Sequence, residues 1–294
     1  MIIAVTGSRG LIGAALTQYL ESLGHTVRRL DRTDSWDGAT YDLSSADTQW
    51  WRGVEGADVA VNAAGMAHDT RTLSAQQVRT YQAVNAEGVG RWAHAAVEAG
   101  VRRLIHLSTV KVLGERPMSG DRFNETDALA PVGPYAQTKA DGERQMLESL
   151  RNTNSAATIL RLPLVFGTPF KGNLATLASA ITKGIPLPLG HPEIGRRTYV
   201  MMPDLLDLVS RIAESEADLP PVLHARSAPD LTAGEVACLV GDELGRRPRL
   251  VRVPPPLLRN AARLLGSPEA ASKICDPMLM GDDITRAALG LPAH

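Results

Sequence analysis

The chain opens with a short apolar run, residues 1–5, and then places apolar residues three and four positions apart. The run predicts a buried strand, and the spacing that follows predicts an amphipathic helix over about 11–23. The same succession returns along the chain. Further strands are predicted at 26–30, within 57–65, at 103–107 and at 220–225, and further helices at 74–99, 135–150, 174–184, 205–213, 232–244 and 257–265. Strands that alternate with helices predict an α/β fold, a doubly wound parallel sheet of the Rossmann type.

These patterns divide the chain into a dinucleotide-binding Rossmann domain over residues 1–165 and a smaller, mainly substrate-binding lobe over residues 166–294. Residues from about 196 to 228 are expected to return to the Rossmann domain, because they include the strand predicted at 220–225. The smaller lobe is expected to close over a ligand at the edge of the sheet.

Three glycines, Gly7, Gly10 and Gly13, fill the turn between the first strand and the first helix. Gly7 permits a tight turn, Gly10 lets the main chain approach a pyrophosphate, and Gly13 lets the helix pack against the strand. The free N–H groups at the start of the helix then face the phosphates. This motif, placed between a strand and an amphipathic helix, predicts a dinucleotide site.

The second predicted strand ends at Asp31, 18 residues beyond Gly13. A carboxylate at this position accepts hydrogen bonds from the adenosine ribose and repels a 2′-phosphate, which argues for NAD. Arg32, with Arg28 and Arg29 nearby, argues for NADP, since a guanidinium pairs with that phosphate. The sequence favours NAD, and NADP stays the alternative.

Two further segments are expected to complete the cofactor site. Asp42 follows a polar loop, where in this type of fold a carboxylate accepts from the adenine amino group. Ala63, Ala64 and Gly65 follow a strand, and their small side chains leave room for a cofactor against the backbone.

The candidate chemistry lies around Thr109, Tyr135 and Lys139. Thr109 follows a predicted parallel strand, at the end where ligands bind in this architecture. Tyr135 and Lys139 stand one helical turn apart on one face of a helix. A phenol is a poor base at neutral pH, and an ammonium one turn away lowers its pKa. Thr109 is expected to hold the substrate oxygen near Tyr135 while a hydride moves to or from the nicotinamide.

Seven motifs are spread along the chain: residues 6–13, 42–43, 62–65, 84–85, 107–109, the Tyr135 and Lys139 pair, and residues 161–167. With these motifs the sequence resembles the extended short-chain dehydrogenase/reductase family over almost its whole length. Residues 108–115 and 171–174 are similar to a bacterial nucleotide-sugar subgroup of UDP-sugar 4-epimerases and 4-ketosugar reductases from surface-polysaccharide pathways.

The resemblance implies a set of site residues. The catalytic residues are Thr109, Tyr135 and Lys139. The cofactor-binding residues are Gly7, Arg9, Gly10, Leu11, Ile12, Gly13, Asp31, Arg32, Asp42, Leu43, Ala63, Ala64, Gly65, Leu107, Tyr135, Lys139 and Leu162. The substrate-binding residues are Ser108, Thr109, Asn173 and Arg197, with Arg197 on the nucleotide diphosphate, where a planar, permanently charged guanidinium suits phosphate.

The resemblance also implies a homodimer, because relatives commonly pair through two long helices, here near 74–99 and 136–150. Tyr81, Val84, Trp92 and Met146 are candidates for that face, and they are equally candidates for the core.

The sequence departs from the family pattern at Ala136, where relatives carry glycine, and at Leu164, where many carry asparagine. Lys273 stands near a position where relatives place an arginine on the diphosphate. His68 lies in a loop expected to face the substrate, although a lone histidine is more often structural.

Composition narrows the functional class. The net charge of −1 gives no bulk field for nucleic acid or an anionic membrane. The apolar start is too short for a signal peptide, and no apolar run approaches the length of a spanning helix, so a cytoplasmic location is expected. Cys238 and Cys275 are isolated, and no metal site is expected.

The predicted function is an NAD-dependent 4-epimerase acting on a UDP-hexose or UDP-N-acetylhexosamine by transient oxidation at C4. The alternative is an NAD(P)H-dependent 4-ketosugar reductase with the same residues. A 4,6-dehydratase is less favoured, because it needs carboxylates just after Thr109, where this chain has Val110 and Lys111. Retention of all three catalytic residues argues against a non-catalytic NAD(P) sensor.

Overall fold

The computed structural model describes residues 1–33, 35–67, 73–117, 121–192, 194–264 and 275–292. The strands are β1 (Ile2–Thr6), β2 (Thr26–Leu30), β3 (Val59–Asn62), β4 (Arg103–Thr109), β5 (Ala156–Leu162), β6 (Leu164–Phe166), β7 (Arg197–Met201), β8 (Val222–His224) and β9 (Ser227–Leu231). The helices are α1 (Leu11–Ser22), α2 (Trp50–Val54), α3 (Ala75–Gln82), α4 (Gly88–Glu98), α5 (Gly133–Ser149), α6 (Gly172–Thr182), α7 (Met202–Glu214), α8 (Ala233–Glu243), α9 (Pro255–Leu264) and α10 (Asp283–Ala288).

Six strands form a parallel sheet in the order β2-β1-β3-β4-β5-β8. Both faces of this large sheet are buried at its central strands β1, β3 and β4, as is typical of parallel sheets. Ile3 and Val5 pack with α1 and α7 in one apolar cluster, whereas Ala4 packs with α4 in another. Helices on both faces of a parallel sheet confirm the predicted doubly wound α/β fold.

A second, small sheet has the order β6-β7-β9, with β6 and β7 parallel and β7 and β9 antiparallel. It shares a separate apolar cluster with α6 and α8. Of the segment predicted to return to the Rossmann domain, α7 packs on the large sheet and β8 pairs with β5, but β7 belongs to the small sheet. The domain boundaries themselves stay a prediction.

The helix predicted at 74–99 is continuous from α3 to α4 but contains one wider turn, a π-helical stretch at Ala83–Glu87. Ser74 begins it with a reciprocal capping box to Gln77. Turns of this kind are frequent at functional sites. Here the wide turn carries Asn85, whose side chain is fully buried.

The four residues proposed for a dimer face differ in their burial. The side chains of Tyr81, Trp92 and Met146 are 2%, 0% and 0% exposed, so these three belong to the core of the described chain. Val84 is half-buried.

None of the described helices is both long and apolar enough to cross a bilayer.

Candidate active site

A cleft of about 520 Å³ lies where the parallel strands of the large sheet end. The chain after β1, β3, β4 and β5 lines one side, and residues of the small sheet and α6 line the other. This is the edge where ligands bind in doubly wound folds. The predicted residues on its lining are Gly10, Leu11, Ile12, Ala63, Ala64, Gly65, Leu107, Ser108, Thr109, Tyr135, Lys139, Leu162, Asn173 and Arg197. The predicted residues outside this lining are Gly7, Arg9, Gly13, Asp31, Arg32, Asp42 and Leu43.

The glycine loop has the geometry that a phosphate cradle needs. Gly7 has a φ of +74°, and a Cβ there would lie 2.7 Å from the backbone of Ala64. A Cβ on Gly13 would lie 2.1 Å from the carbonyl oxygen of Gly7, so only glycine lets α1 pack this closely. Gly10 is the N-cap of α1 and makes no side-chain cap, which leaves the first N–H groups of the helix toward the cleft. The loop therefore fits a dinucleotide pyrophosphate.

Asp31 lies beside this loop although it is outside the cleft lining. One carboxylate oxygen accepts from the backbone N–H of Arg9 at 3.1 Å, and the other accepts from the backbone N–H of Arg32 at 2.8 Å. The Arg9 guanidinium donates to the Thr33 hydroxyl at 3.4 Å. Asp31 thus connects the end of β2 to the glycine loop, which adds a structural role to the ribose contact predicted for it.

Asp42 and Leu43 lie farther along the same side. The Asp42 carboxylate accepts from both the backbone N–H and the hydroxyl of Ser44, at 2.9 and 2.8 Å. Leu43 is buried, and its carbonyl oxygen accepts from Arg91 at 2.7 Å. These contacts fix the turn after residue 41, and the proposed contact with adenine stays a prediction.

The predicted chemical groups come together. Thr109 ends β4, Tyr135 lies in the first turn of α5, and the Thr109 hydroxyl hydrogen-bonds the Tyr135 phenol. Burial raises the pKa of Tyr135 above its ordinary value; the bond to Thr109 lowers it and the neighbouring Tyr81 raises it. We expected the Lys139 ammonium to lower this pKa. In the structure the desolvation of the phenol outweighs every lowering contact.

Lys139 follows one turn later and is only 4% exposed. Its Nζ donates to the carbonyl oxygen of Leu107 at 2.7 Å and lies 3.2 Å from Nε2 of His106. Burial lowers its pKa to about 8, and the carboxylate of Glu143 opposes that shift. Lys139 therefore changes its charge close to physiological pH.

Ser108 lines the cleft, but its hydroxyl donates inward to Glu143 at 2.5 Å. Glu143 is in turn held by a two-point ion pair with Arg161, at 3.2 and 2.8 Å, and both side chains are buried. Because the Ser108 hydrogen is committed to Glu143, its hydroxyl faces a substrate only as an acceptor.

Basic side chains line the cleft on both sides. Asn173 and Lys171 lie at the start of α6, Arg197 begins β7, and Lys111 follows β4. Arg197 also donates to the carbonyl oxygen of Asp276 at 3.3 Å. Among the described residues that line the cleft, four are basic and none is aspartate or glutamate. The cleft is therefore suited to an anionic ligand.

Several site residues were not predicted. His106 contacts Lys139, and Asn62 contacts His106. Glu143 and Arg161 hold Ser108, and Asn85 binds the loop at Met66. The Asn85 amide accepts from the Met66 N–H at 2.8 Å and donates to its carbonyl at 3.0 Å. The available signal was polar residues inside apolar strands and helices. His68 and Lys273 lie outside the described residues.

The fold and the cleft define a dinucleotide-dependent enzyme of the doubly wound type. The chain belongs to the NAD dependent epimerase/dehydratase family, whose model matches residues 3–223. This match confirms the predicted family and the prediction of an NAD(P)-dependent enzyme, with NAD as the expected cofactor and NADP as the alternative.

The chain is 26% identical over 295 residues to a UDP-glucose 4-epimerase of Vibrio cholerae, covering 98% of this chain and 89% of that protein. It is 27% identical over 307 residues to a dTDP-4-dehydrorhamnose reductase of Mycobacterium tuberculosis, covering 99% of this chain and 93% of that protein. The structure of MoeE5 in complex with UDP-glucuronic acid and NAD has the same fold, with a TM-score of 0.77 and 21% identity over 100% of this chain and 94% of the other.

Proposed function

We propose that the protein is an NAD-dependent 4-epimerase of a nucleotide sugar, acting on a UDP-hexose or UDP-N-acetylhexosamine. The observation that carries the proposal is the convergence of Thr109, Tyr135 and Lys139 on one cleft together with the glycine loop. The similarity to the Vibrio cholerae UDP-glucose 4-epimerase supports the same reaction.

The charge of the cleft supports a nucleoside diphosphate as the common part of the substrate. Arg197 and Lys171 face the cleft from the side opposite the glycine loop, where they would bind the diphosphate. Asn173 would contribute a neutral donor and acceptor beside them. The related structure that holds both UDP-glucuronic acid and NAD is consistent with two anionic ligands in one cleft.

In the proposed mechanism, Thr109 holds the C4 oxygen and Tyr135, as the phenolate, takes the hydroxyl proton. NAD held at the glycine loop would supply the hydride acceptor and donor for C4. The positive charge of the Lys139 ammonium stabilises the Tyr135 phenolate, which is the basic form. After the 4-keto sugar has rotated to present its opposite face to the nicotinamide, Tyr135 returns the proton to the C4 oxygen. Atoms and charge are then as at the start, and only the configuration at C4 has changed.

The 4-ketosugar reductase is the second candidate, because the Mycobacterium tuberculosis reductase matches 99% of this chain. The same three residues would then deliver a proton to the ketone in one direction, with an exchangeable cofactor. A 4,6-dehydratase is disfavoured, because Val110 and Lys111 occupy the positions where that reaction needs carboxylates.

We retain NAD over NADP because of the Asp31 carboxylate, and Arg32 supports the alternative.

The test is turnover of UDP-GlcNAc and UDP-glucose by the purified protein with no cofactor added. An epimerase that retains NAD converts substrate under these conditions. Product that forms only with external NAD(P)H and a 4-ketosugar would overturn the epimerase in favour of the reductase. Tyr135→Phe is expected to lose roughly 10²- to 10⁴-fold in kcat, whereas Tyr19→Phe, in α1, serves as the matched control.

A homodimer, a cytoplasmic location and a place in polysaccharide synthesis stay predictions. The dimer is checked by light scattering of the purified protein, which should give twice the mass of 31.4 kDa.

A further inference from the structure

Three buried polar side chains form a row that ends at the proposed catalytic lysine. Asn62 ends β3, His106 lies within β4 and Lys139 lies in α5, and their exposures are 0%, 0% and 4%. Asn62 Nδ2 lies 3.3 Å from His106 Nδ1, and His106 Nε2 lies 3.2 Å from Lys139 Nζ. Polar groups buried this deeply need matched donors and acceptors.

The orientation of the Asn62 amide follows from its other partner. Its Oδ1 accepts from the backbone N–H of Ala64 at 3.0 Å, so the Nδ2 group, which only donates, faces the imidazole. A donor at this distance requires Nδ1 of His106 to be an unprotonated acceptor. Burial and the nearby Lys139 hold the pKa of His106 well below its ordinary value, so the ring is neutral. A neutral ring without a hydrogen on Nδ1 carries it on Nε2.

We propose that His106 is a positioning residue of this site: Asn62 fixes its imidazole in the Nε2–H tautomer, which presents a hydrogen-bond donor to the Nζ of Lys139. This inference rests on the proposed role of Lys139 in supporting Tyr135. The neutral amine of Lys139 accepts from that N–H while it donates to Leu107. The ammonium form has no lone pair to accept this hydrogen bond, so an N–H of Lys139 would face the Nε2–H of His106.

The other charged or titratable groups around Lys139 do not produce this effect. Tyr135 and Glu143 lie on its own helix, and Glu143 favours the ammonium. Arg161, from β5, neutralises much of the Glu143 charge through the ion pair. His106, from β4, is thus the group that favours the amine by a hydrogen bond. This hydrogen bond lowers the proton affinity of Lys139, so the ammonium releases its proton more easily.

The first measurement is the tautomer of His106 in the full chain, read from long-range ¹H–¹⁵N correlation spectra of ¹⁵N-histidine-labelled protein. The chain has seven histidines, and the His106→Gln spectrum identifies the signal. The expected pattern is a protonated Nε2 with an acceptor Nδ1. Protonation on Nδ1 overturns the proposal, and this result does not depend on any variant or on turnover.

The second measurement is the pKa of Lys139, from the ¹³Cε shift of ¹³C-lysine-labelled protein. The chain has only five lysines, and Lys139→Arg identifies the signal. His106→Gln retains an N–H near the position of Nε2, whereas His106→Met has a similar volume and no donor. The proton affinity of Lys139 should rise roughly three- to tenfold in the methionine variant and stay near wild type in the glutamine variant.

Equal Lys139 pKa values in wild type and His106→Met would show a merely structural histidine and would overturn the proposal. Because both spectra are recorded without substrate, failure here is distinguishable from failure of the epimerase assignment. Absence of turnover with the expected tautomer and pKa pattern would count against the proposed function alone.

Discussion

At the scale of single residues, Gly10 and Gly13 belong to one motif but meet different constraints. A Cβ on Gly13 collides with the Gly7 carbonyl at 2.1 Å, whereas a Cβ on Gly10 comes no closer than 3.2 Å to that oxygen and faces the cleft. Gly13 is required by the fold, whereas Gly10 is predicted to be required by the ligand.

We therefore expect Gly13→Ala to lower the free energy of unfolding by about 1–3 kcal/mol, as overpacking does. Gly10→Ala should change it by less than about 1 kcal/mol and weaken NAD binding by about tenfold or more, which is at least 1.4 kcal/mol. Urea unfolding and calorimetric NAD titration measure the two effects. Equal destabilisation by both variants would contradict this division.

Lys139 predicts a pH dependence at the same scale. Its pKa of about 8 lies below that of a free lysine, so the ammonium is lost as the pH rises through about 8. If the Tyr135 phenolate is the base and the ammonium supports it, kcat/KM rises by about tenfold per pH unit below about 8, because the raised pKa of Tyr135 leaves little phenolate there. Above about 8 the profile is level, because the proton lost from Lys139 offsets the gain in phenolate.

The measurement is the pH profile of kcat/KM from pH 6.5 to 9.5. Lys139→Arg is the control, since a guanidinium stays charged over this range and its residual activity should keep rising above pH 8. A wild-type profile that also keeps rising to the alkaline end would exclude the ammonium as the active form.

At the scale of elements, α5 carries Tyr135 and Lys139 and is fixed to the sheet by the buried pair of Glu143 and Arg161. The pair joins the middle of α5 to β5 beneath the cleft. Removing one partner leaves the other charge buried and uncompensated.

Arg161→Leu should therefore cost about 3–5 kcal/mol of unfolding free energy. Arg211→Met is the matched control, because Arg211 and Asp207 form a pair with half-exposed side chains, worth less than about 1 kcal/mol. Chemical denaturation of both variants gives the comparison. Similar losses would mean that the buried pair is not what holds α5.

The large-sheet elements were largely predictable, because periodicity reports directly which residues are buried. The strands at 26–30 and 103–107 and the helix at 205–213 follow apolar patterns that the structure reproduces closely. β9 reads Ser-Ala-Pro-Asp-Leu and carries no apolar run, so its pairing with β7 was not predictable. The wide turn at Ala83–Glu87 likewise has no pattern that distinguishes it from ordinary helix.

The candidate site was predictable where one motif specifies one local geometry, as for the glycine loop and the pair of Tyr135 and Lys139. Asn62 and His106 were missed, because a contact between two strands and a helix depends on the strand order. The four cations of the cleft come from separate elements for the same reason, and their convergence is a property of the folded chain.

At the scale of the whole molecule, the two sheets provide the two sides of the cleft. The glycine loop belongs to the large sheet, and Arg197 belongs to the small sheet. Cofactor binding and nucleotide binding should therefore be separable by substitution.

We expect Arg197→Met to weaken UDP binding roughly 10- to 100-fold, the worth of one charge-assisted hydrogen bond, and to leave NAD binding unchanged. Arg196→Met is the control, because that side chain is exposed and the cleft lining does not include it. Thermal-shift titrations with UDP and with NAD measure both. Loss of NAD affinity in Arg197→Met would show that the two sides are not independent.

The two hydrogen bonds that Asp31 accepts have a consequence for engineering of cofactor preference. Exchanging this carboxylate for a small apolar side chain is the obvious route to admitting a 2′-phosphate, yet the same exchange releases the backbone amide of Arg9. The predicted cofactor preference and the shape of the loop thus depend on one side chain. A successful redesign must supply a new acceptor for that amide in the same step.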